Sequence, residues 1–371
     1  MKRLLTITLY FALAVYGRPA PASEPALSPL WSVDLNSFLE SAPTLADIDN
    51  DGRDEVLVAG REELIALNKN GKELWRWRTR QRFMTYPAVL QRPGLPALIY
   101  VADTGKLFSC LDGKGKVVWQ SELNAANSWS APVLNDLNQD GRMEVVTTDQ
   151  TGMIWAFDAV TGRLIWKSRI LGMPANPAVA DVDQDGGSEL VFITSTGWVT
   201  VLDQAGDLVW RHEIGGQSAD WATSSPVLFA ASDRRVRIVA ASNTGLVVCL
   251  DAQGSRLWSL TAQAPIASTL SVGDLDQDGR ADVFLITQTG RILRIDESGT
   301  LLWDIDMQGR SLASGAIIDL DDDGRLEYLL CTQNGRMIGY DVDGDIIYHY
   351  QFPCRTINMT PTFGDISRGT S

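Results

Sequence analysis

The chain has 371 residues, 45% of them hydrophobic and 21% charged, with 32 Gly and 12 Trp. That is ample for a packed core and excludes disordered and fibrous classes. A formal net charge of −14 argues against a phosphate-backbone partner, so nucleic acid is set aside. Two histidines, His212 and His349, and four cysteines leave little acid–base or zinc chemistry and no disulfide scaffold.

At the N-terminus Lys2 and Arg3 precede an apolar run, 4–16, and Ala20-Pro21-Ala22 fits the small-residue pattern ahead of a signal-peptidase cut. The run is 13 residues, against the ~20 that a bilayer-spanning helix needs. Residues 1–22 are therefore expected to be a signal peptide. The mature chain, 23–371, is expected to be exported, periplasmic or extracellular, with no transmembrane anchor. No cysteine precedes Cys110, so none stands at the cut to carry a lipid.

The remainder is one repeat. A phrase ending in an aromatic recurs, as in ALNKNGKELW and AFDAVTGRLIW, at Trp75, Trp119, Trp166, Trp210, Trp258, Trp303 and Tyr348, spaced 44 to 48 residues apart. Ahead of each phrase come a small-residue opener such as SAPTLAD, a β-rich run such as EVLVAG, and in most copies a tight-turn pair such as TG or NG. Each copy spells four strands, A to D. Four-stranded units at this period predict an all-β fold, a β-propeller, as a single domain. Repeats fall near 41–84, 85–129, 130–174, 175–222, 223–265, 266–311 and 312–357. SPLWSVDL places an orphan D strand at 30–35, and NMTPTFGDIS an orphan A strand at 359–366. The pattern is eight-bladed with seven complete blades and an incomplete last one; the alternative is a seven-bladed ring with two stray strands. The D-strand aromatics are expected to fill the wedges between blades.

Five copies insert a nine-residue acidic loop between strands A and B. Oxygen side chains stand at positions 1, 3, 5 and 9, a Gly at 6, and a carbonyl ligand at 7. The loops are Asp47, Asp49, Asp51, Arg53, Glu55; Asp136, Asn138, Asp140, Arg142, Glu144; Asp181, Asp183, Asp185, Gly187, Glu189; Asp274, Asp276, Asp278, Arg280, Asp282; and Asp319, Asp321, Asp323, Arg325, Glu327. This spacing wraps oxygens around a hard cation, and an all-protein cage suits Ca²⁺ better than Mg²⁺, so about five Ca²⁺ sites are expected. An EF-hand would close with Glu at position 12, where these loops carry Val58, Thr147, Phe192, Leu285 and Leu330. The competing reading is a set of metal-free turns capped by Asp side chains. Repeats two and five lack the loop.

The DxDxDGxxE loop ahead of a hairpin resembles the FG-GAP and VCBS-type repeats of integrin α-subunit propellers and their bacterial relatives. The C–D phrase is similar to the PQQ-like repeat of quinoprotein dehydrogenases and of the outer-membrane barrel-assembly scaffold. The resemblance implies a propeller and calcium at the five loops. Quinone-site residues are not identifiable, so PQQ is not expected, and no catalytic residue is assigned.

On the opposite face, Arg76, Arg78, Arg80 and Arg82 alternate, and Trp129 and Trp221 precede inner strands. They are candidates to contact acidic or sugar ligands; the plainer reading has the arginines guarding an edge strand and the tryptophans plugging the channel. Cys110 and Cys249 replace small buried residues of separate blades. Three functions are compatible with these features: a non-enzymatic module binding protein or polysaccharide, an envelope-assembly scaffold, or a propeller enzyme (quinone-dependent dehydrogenase or polysaccharide lyase). The first is the leading expectation.

Overall fold

The computed structural model describes residues 8–13, 28–35, 37, 39, 41–127, 129–215, 224–266, 268–321, 323–352 and 362. Among these the chain is all β, without a helix, and no helix long and apolar enough to cross a membrane occurs. Seven four-stranded antiparallel sheets follow one another at 44–78, 88–122, 133–169, 178–213, 227–261, 271–306 and 316–351, each in the order A-B-C-D. They are the seven complete blades of a propeller. Inner A strands of neighbouring blades touch, as those of blades 1 and 2 and of blades 6 and 7 do.

Radial position follows from side-chain size. A strands are short, three to five residues, and several carry small residues, as Thr44–Ala46, Ala178–Ala180 and Ser271–Gly273 do, because seven of them converge on the axis. B and C strands, such as Glu55–Ala59 and Glu63–Leu67, are almost wholly buried and form the core. D strands, such as Leu164–Arg169, alternate exposed with half-buried residues, as outer edges do. Arg76 and Arg78 of the alternating arginines belong to this edge, and Arg80 and Arg82 follow its end. Arg76 pairs with Glu63 and Glu73 at 2.8 and 2.7 Å, and Arg78 with Glu63 at 3.4 Å.

Blades are locked by one repeated contact. In each of the first six blades the repeated D-strand indole donates its N–H to a carbonyl in the C–D turn of the next blade: Trp75 to Gly113, Trp119 to Ala159, Trp166 to Gln204, Trp210 to Ala252, Trp258 to Glu297 and Trp303 to Val342, at 2.7–3.2 Å. The ring lies on the turn glycine, as Trp166 lies on Gly206 (φ +83°), where a Cβ would approach within 2.6 Å. The aromatics thus fill the interblade wedges, as their period suggests.

Both orphan segments obey the same grammar. Ser28–Asp34 is a strand, and Trp31 donates to Lys69 of blade 1 at 2.6 Å. Thr362 Oγ1 donates to the Pro43 carbonyl at 3.0 Å, as Thr44 does to Pro87 between blades 1 and 2. Trp31 therefore repeats the contact of the outer D-strand indoles, and Thr362 that of the inner A-strand threonine, both against blade 1 and beside the seven complete blades. The rest of 359–366 lies outside the described residues.

Within the segment expected to be a signal peptide, Thr8–Leu13 pairs antiparallel with Ser28–Asp34. In the backbone register Phe11 is paired with Trp31, and the register shifts immediately after it, as it does after Ala66 opposite Trp75. The segment takes the register of a C strand.

Candidate metal loops

The five acidic loops all connect strand A to strand B and share one hydrogen-bond pattern. The Gly N–H at position 6 donates to the position-1 carboxylate: Gly52 to Asp47, Gly141 to Asp136, Gly186 to Asp181, Gly279 to Asp274 and Gly324 to Asp319, at 2.8–3.1 Å. The backbone N–H at position 7 donates to the position-5 carboxylate: Arg53 to Asp51, Arg142 to Asp140, Gly187 to Asp185, Arg280 to Asp278 and Arg325 to Asp323, at 2.8–2.9 Å. The position-9 acid turns back onto the N–H at position 2, as Glu55 does to Ile48 (3.1 Å) and Glu189 to Val182 (2.7 Å). At position 4, Asn50, Gln139, Gln184 and Gln277 have φ between 56° and 65°. Three of these amides reach the next blade's A–B connection: Asn50 to Leu95, Gln184 to Arg234 and Gln277 to Gly324.

This wrapping gathers carboxylates. One oxygen from each of Asp47, Asp49 and Glu55 lies within 4.8 Å of the others; so do those of Asp181, Asp183 and Glu189, of Asp274, Asp276 and Asp278, and of Asp319, Asp321 and Glu327. The loop holding Asp136, Asn138, Asp140 and Glu144 forms no such acid triad, because an amide replaces its position-3 carboxylate. The closing acids Glu55, Glu144, Glu189 and Glu327 are buried. Burial first, and then the charge of the neighbouring aspartates, raises the affinity of all four for a proton, together bringing Glu55 to about 7.

A cation would answer that arrangement. Asp181 Oδ1 and Asp319 Oδ1 are buried acceptors with no hydrogen-bond partner. Hard oxygens in clusters of three suit an alkaline-earth ion and not a soft metal. The donor set therefore fits a divalent metal. Repeats two and five need no such loop: Arg92 pairs with Leu95 after a register shift at Leu90–Arg92, and Ala230 pairs with Val236, so each A–B connection is a short hairpin turn.

The opposite-face candidates do not converge. Arg76 and Arg78 are held by glutamates of their own blade, and Arg80 is exposed at its end. The backbone N–H of Arg82 bonds to Thr104. Trp129 has φ 66° and is fixed through its backbone N–H by Asn127. Trp221 lies outside the described residues. Near the axis, A-strand residues such as Thr44, Ala46 and Ala88 line a cavity of about 680 Å³ together with Tyr86, Ser314 and Thr362. His212 and His349 sit on outer D strands, and Cys110 and Cys249 are free and buried in separate blades.

Residues 96–227 and 195–359 match the family described as "Outer membrane protein assembly factor BamB". Residues 27–102 match the lambda-carrageenase β-propeller domain. No curated protein sequence matches the chain significantly. Among solved structures, BamB from Moraxella catarrhalis is similar over 94% of this chain and 98% of its own, at 16% identity and a TM-score of 0.60. A europium-containing methanol dehydrogenase is similar over 82% of this chain and 77% of its own, at 13% identity and a TM-score of 0.60. BBS1N, in its complex with ARL6DN, is similar over 87% and 94%, at 12% identity and a TM-score of 0.55. At these identities the structures establish the fold alone, whereas the family match spans most of the repeats. The chain belongs to the PQQ-like propeller family described as outer membrane protein assembly factor BamB.

Proposed function

We propose that this chain is an exported, non-catalytic propeller of the cell envelope that presents a rigid disc to a protein partner, with Ca²⁺ pinning its acidic A–B loops. Family membership across residues 96–359 carries the envelope-scaffold part of this reading. The interblade indole contacts support rigidity, because each blade is bonded to the next. The five loops share one FG-GAP-like spacing and one hydrogen-bond pattern, and the carboxylate triads that four of them gather support the metal. The ions would neutralise clustered carboxylates and fix the rim where A–B loops meet C–D turns. Export would follow from a signal peptide over 1–22, whose removal would take away the Thr8–Leu13 strand that pairs with Ser28–Asp34.

The test is affinity capture of the tagged full chain from detergent-solubilised envelopes, with and without EDTA. A stoichiometric, reproducible outer-membrane protein in the calcium arm supports the reading. Capture of none, together with specific retention on a glycan array, would replace protein with polysaccharide as the ligand. The match of residues 27–102 to a carrageenase propeller domain makes that the second reading.

A further inference from the structure

The loop at 274–282 differs from the other four in a way that its acidic spacing hides. In each blade one C-strand residue lies opposite the D-strand aromatic. It is Ala66, Cys110, Ala156, Val201, Cys249 or Gly339 in six blades and Arg294 in blade 6. Arg294 is 3% exposed. Its Nη2 lies 2.7 Å from Asp276 Oδ2 and 2.7 Å from Asp282 Oδ2. Nη1 donates to the Val342 carbonyl at 3.2 Å, the oxygen that also accepts the Trp303 indole, and the guanidinium sits 5.5 Å from the Trp303 ring centroid.

Two further features fit this cation. Position 9, which is Glu in the other four loops, is Asp282 here, one methylene shorter. The carboxylates that cluster are also different. At 47–55, 181–189 and 319–327 the triad is positions 1, 3 and 9; at 274–282 it is positions 1, 3 and 5, and the closing acid is held by Arg294 instead. A buried guanidinium with two carboxylates at 2.7 Å is a compensated ion pair, and removing one partner leaves buried charge uncompensated.

We propose that Arg294 is the resident cation of the 274–282 loop. Its guanidinium pairs with positions 3 and 9 and offsets one of their two charges, so that this loop keeps its form without a metal ion and the chain takes up four Ca²⁺ rather than five. The count of four rests on the calcium reading above; the role of Arg294 as internal counter-charge does not. The blade 6–blade 7 joint, where Arg294 reaches Val342, is then the one acidic-loop joint that stays set when calcium is withdrawn.

The experiment compares wild type, Arg294→Ala, Arg294→Met and Arg294→Lys as full chains. It measures bound Ca²⁺ per chain by equilibrium dialysis and melting temperature in EDTA and in 1 mM CaCl₂. In EDTA, Arg294→Ala and Arg294→Met are expected to melt about 5 °C below wild type, with Arg294→Lys recovering part of the loss. In calcium, Arg294→Ala is expected to bind five ions against four for wild type and to regain most of its melting temperature. Met keeps the bulk without the charge, so equal EDTA melting of Arg294→Met and wild type would overturn the proposal. Five ions bound by wild type would overturn it as well. If wild type binds no calcium, the metal reading fails, and the EDTA comparison alone decides the role of Arg294.

Discussion

The indole N–H of Trp166 donates to the carbonyl of Gln204, 2.9 Å away in the next blade, and its ring covers Gly206 so closely that a Cβ there would lie 2.6 Å from Cε3. A tryptophan in one repeat and a glycine 40 residues on are therefore one device. Gly206 has φ +83°, which alone disfavours any L side chain. Gly206→Ala adds an interblade clash to that strain and is expected to cost about 2–4 kcal/mol. Gly94 has φ +72° with open space where its Cβ would be, so Gly94→Ala is expected to cost only about 1 kcal/mol. Urea unfolding of the two variants measures the difference; equal losses would show that the Trp166 contact contributes nothing.

The buried position-9 acids give the metal-free protein an unusual pH response. Glu55 holds its proton up to about 7 in the folded chain, against 4.5 ordinarily, first because it is buried and then because Asp49, Asp51 and Asp47 repel its charge. Between those values the folded state binds more protons than the unfolded state, so stability falls as pH rises. In EDTA the melting temperature is expected to drop from pH 5 to pH 7.5. Glu55→Gln, which cannot ionise, is expected to flatten part of that drop. A wild-type melting temperature that rises over this range, with Glu55→Gln tracking it, contradicts the electrostatic account of the loops.

Cys110 and Cys249 are buried in the cores of blades 2 and 5, and burial pushes both thiols up to about 12. Neither is expected to react with iodoacetamide at pH 8 until the chain unfolds, because the thiolate is the nucleophile and both sites are closed. Peptide mapping after native and denatured labelling checks this residue by residue. Rapid native labelling at either position would place it outside the core.

The sequence repeat was a sufficient guide to radius and wedge. Small A strands, a buried hairpin and an aromatic at the D edge each have one place in a converging stack, and the structure puts them there. The acidic loops were equally legible, because their spacing is local. The interblade partner of each indole was not, since it lies about 40 residues away and is a backbone carbonyl that no side chain marks. Arg294 was missed for a similar reason. Within RILRI it looks like an ordinary strand charge, and only lining up the residues opposite the seven aromatics shows a guanidinium where the rest are small. The pairing of Thr8–Leu13 with Ser28–Asp34 was hidden because an apolar run after two basic residues reads first as an export signal.

Asp183→Ala removes a member of the 181–189 triad and is expected to lose one bound calcium and about 1 kcal/mol of calcium-dependent stability. Asp233 pairs with Arg237 in a loop without the acidic pattern, at 2.6 Å, so Asp233→Ala should leave the calcium response unchanged. Isothermal titration with melting curves for the two variants separates them. A smaller calcium response in Asp233→Ala than in Asp183→Ala would reverse the assignment of the loops.

The most direct measurement is the melting curve of the full chain in 1 mM CaCl₂ and again in excess EDTA. A site with Kd of ~10⁻⁴ M contributes roughly 1.4 kcal/mol at ~1 mM calcium, or about 6 kcal/mol over four sites. That is comparable to the ~5–15 kcal/mol that holds a whole domain folded. The account predicts a melting temperature lower by roughly 10 °C in EDTA, restored by calcium and not by the same concentration of magnesium. Superimposable curves would mean that the carboxylate loops are turns held by their own hydrogen bonds and that no metal binds them.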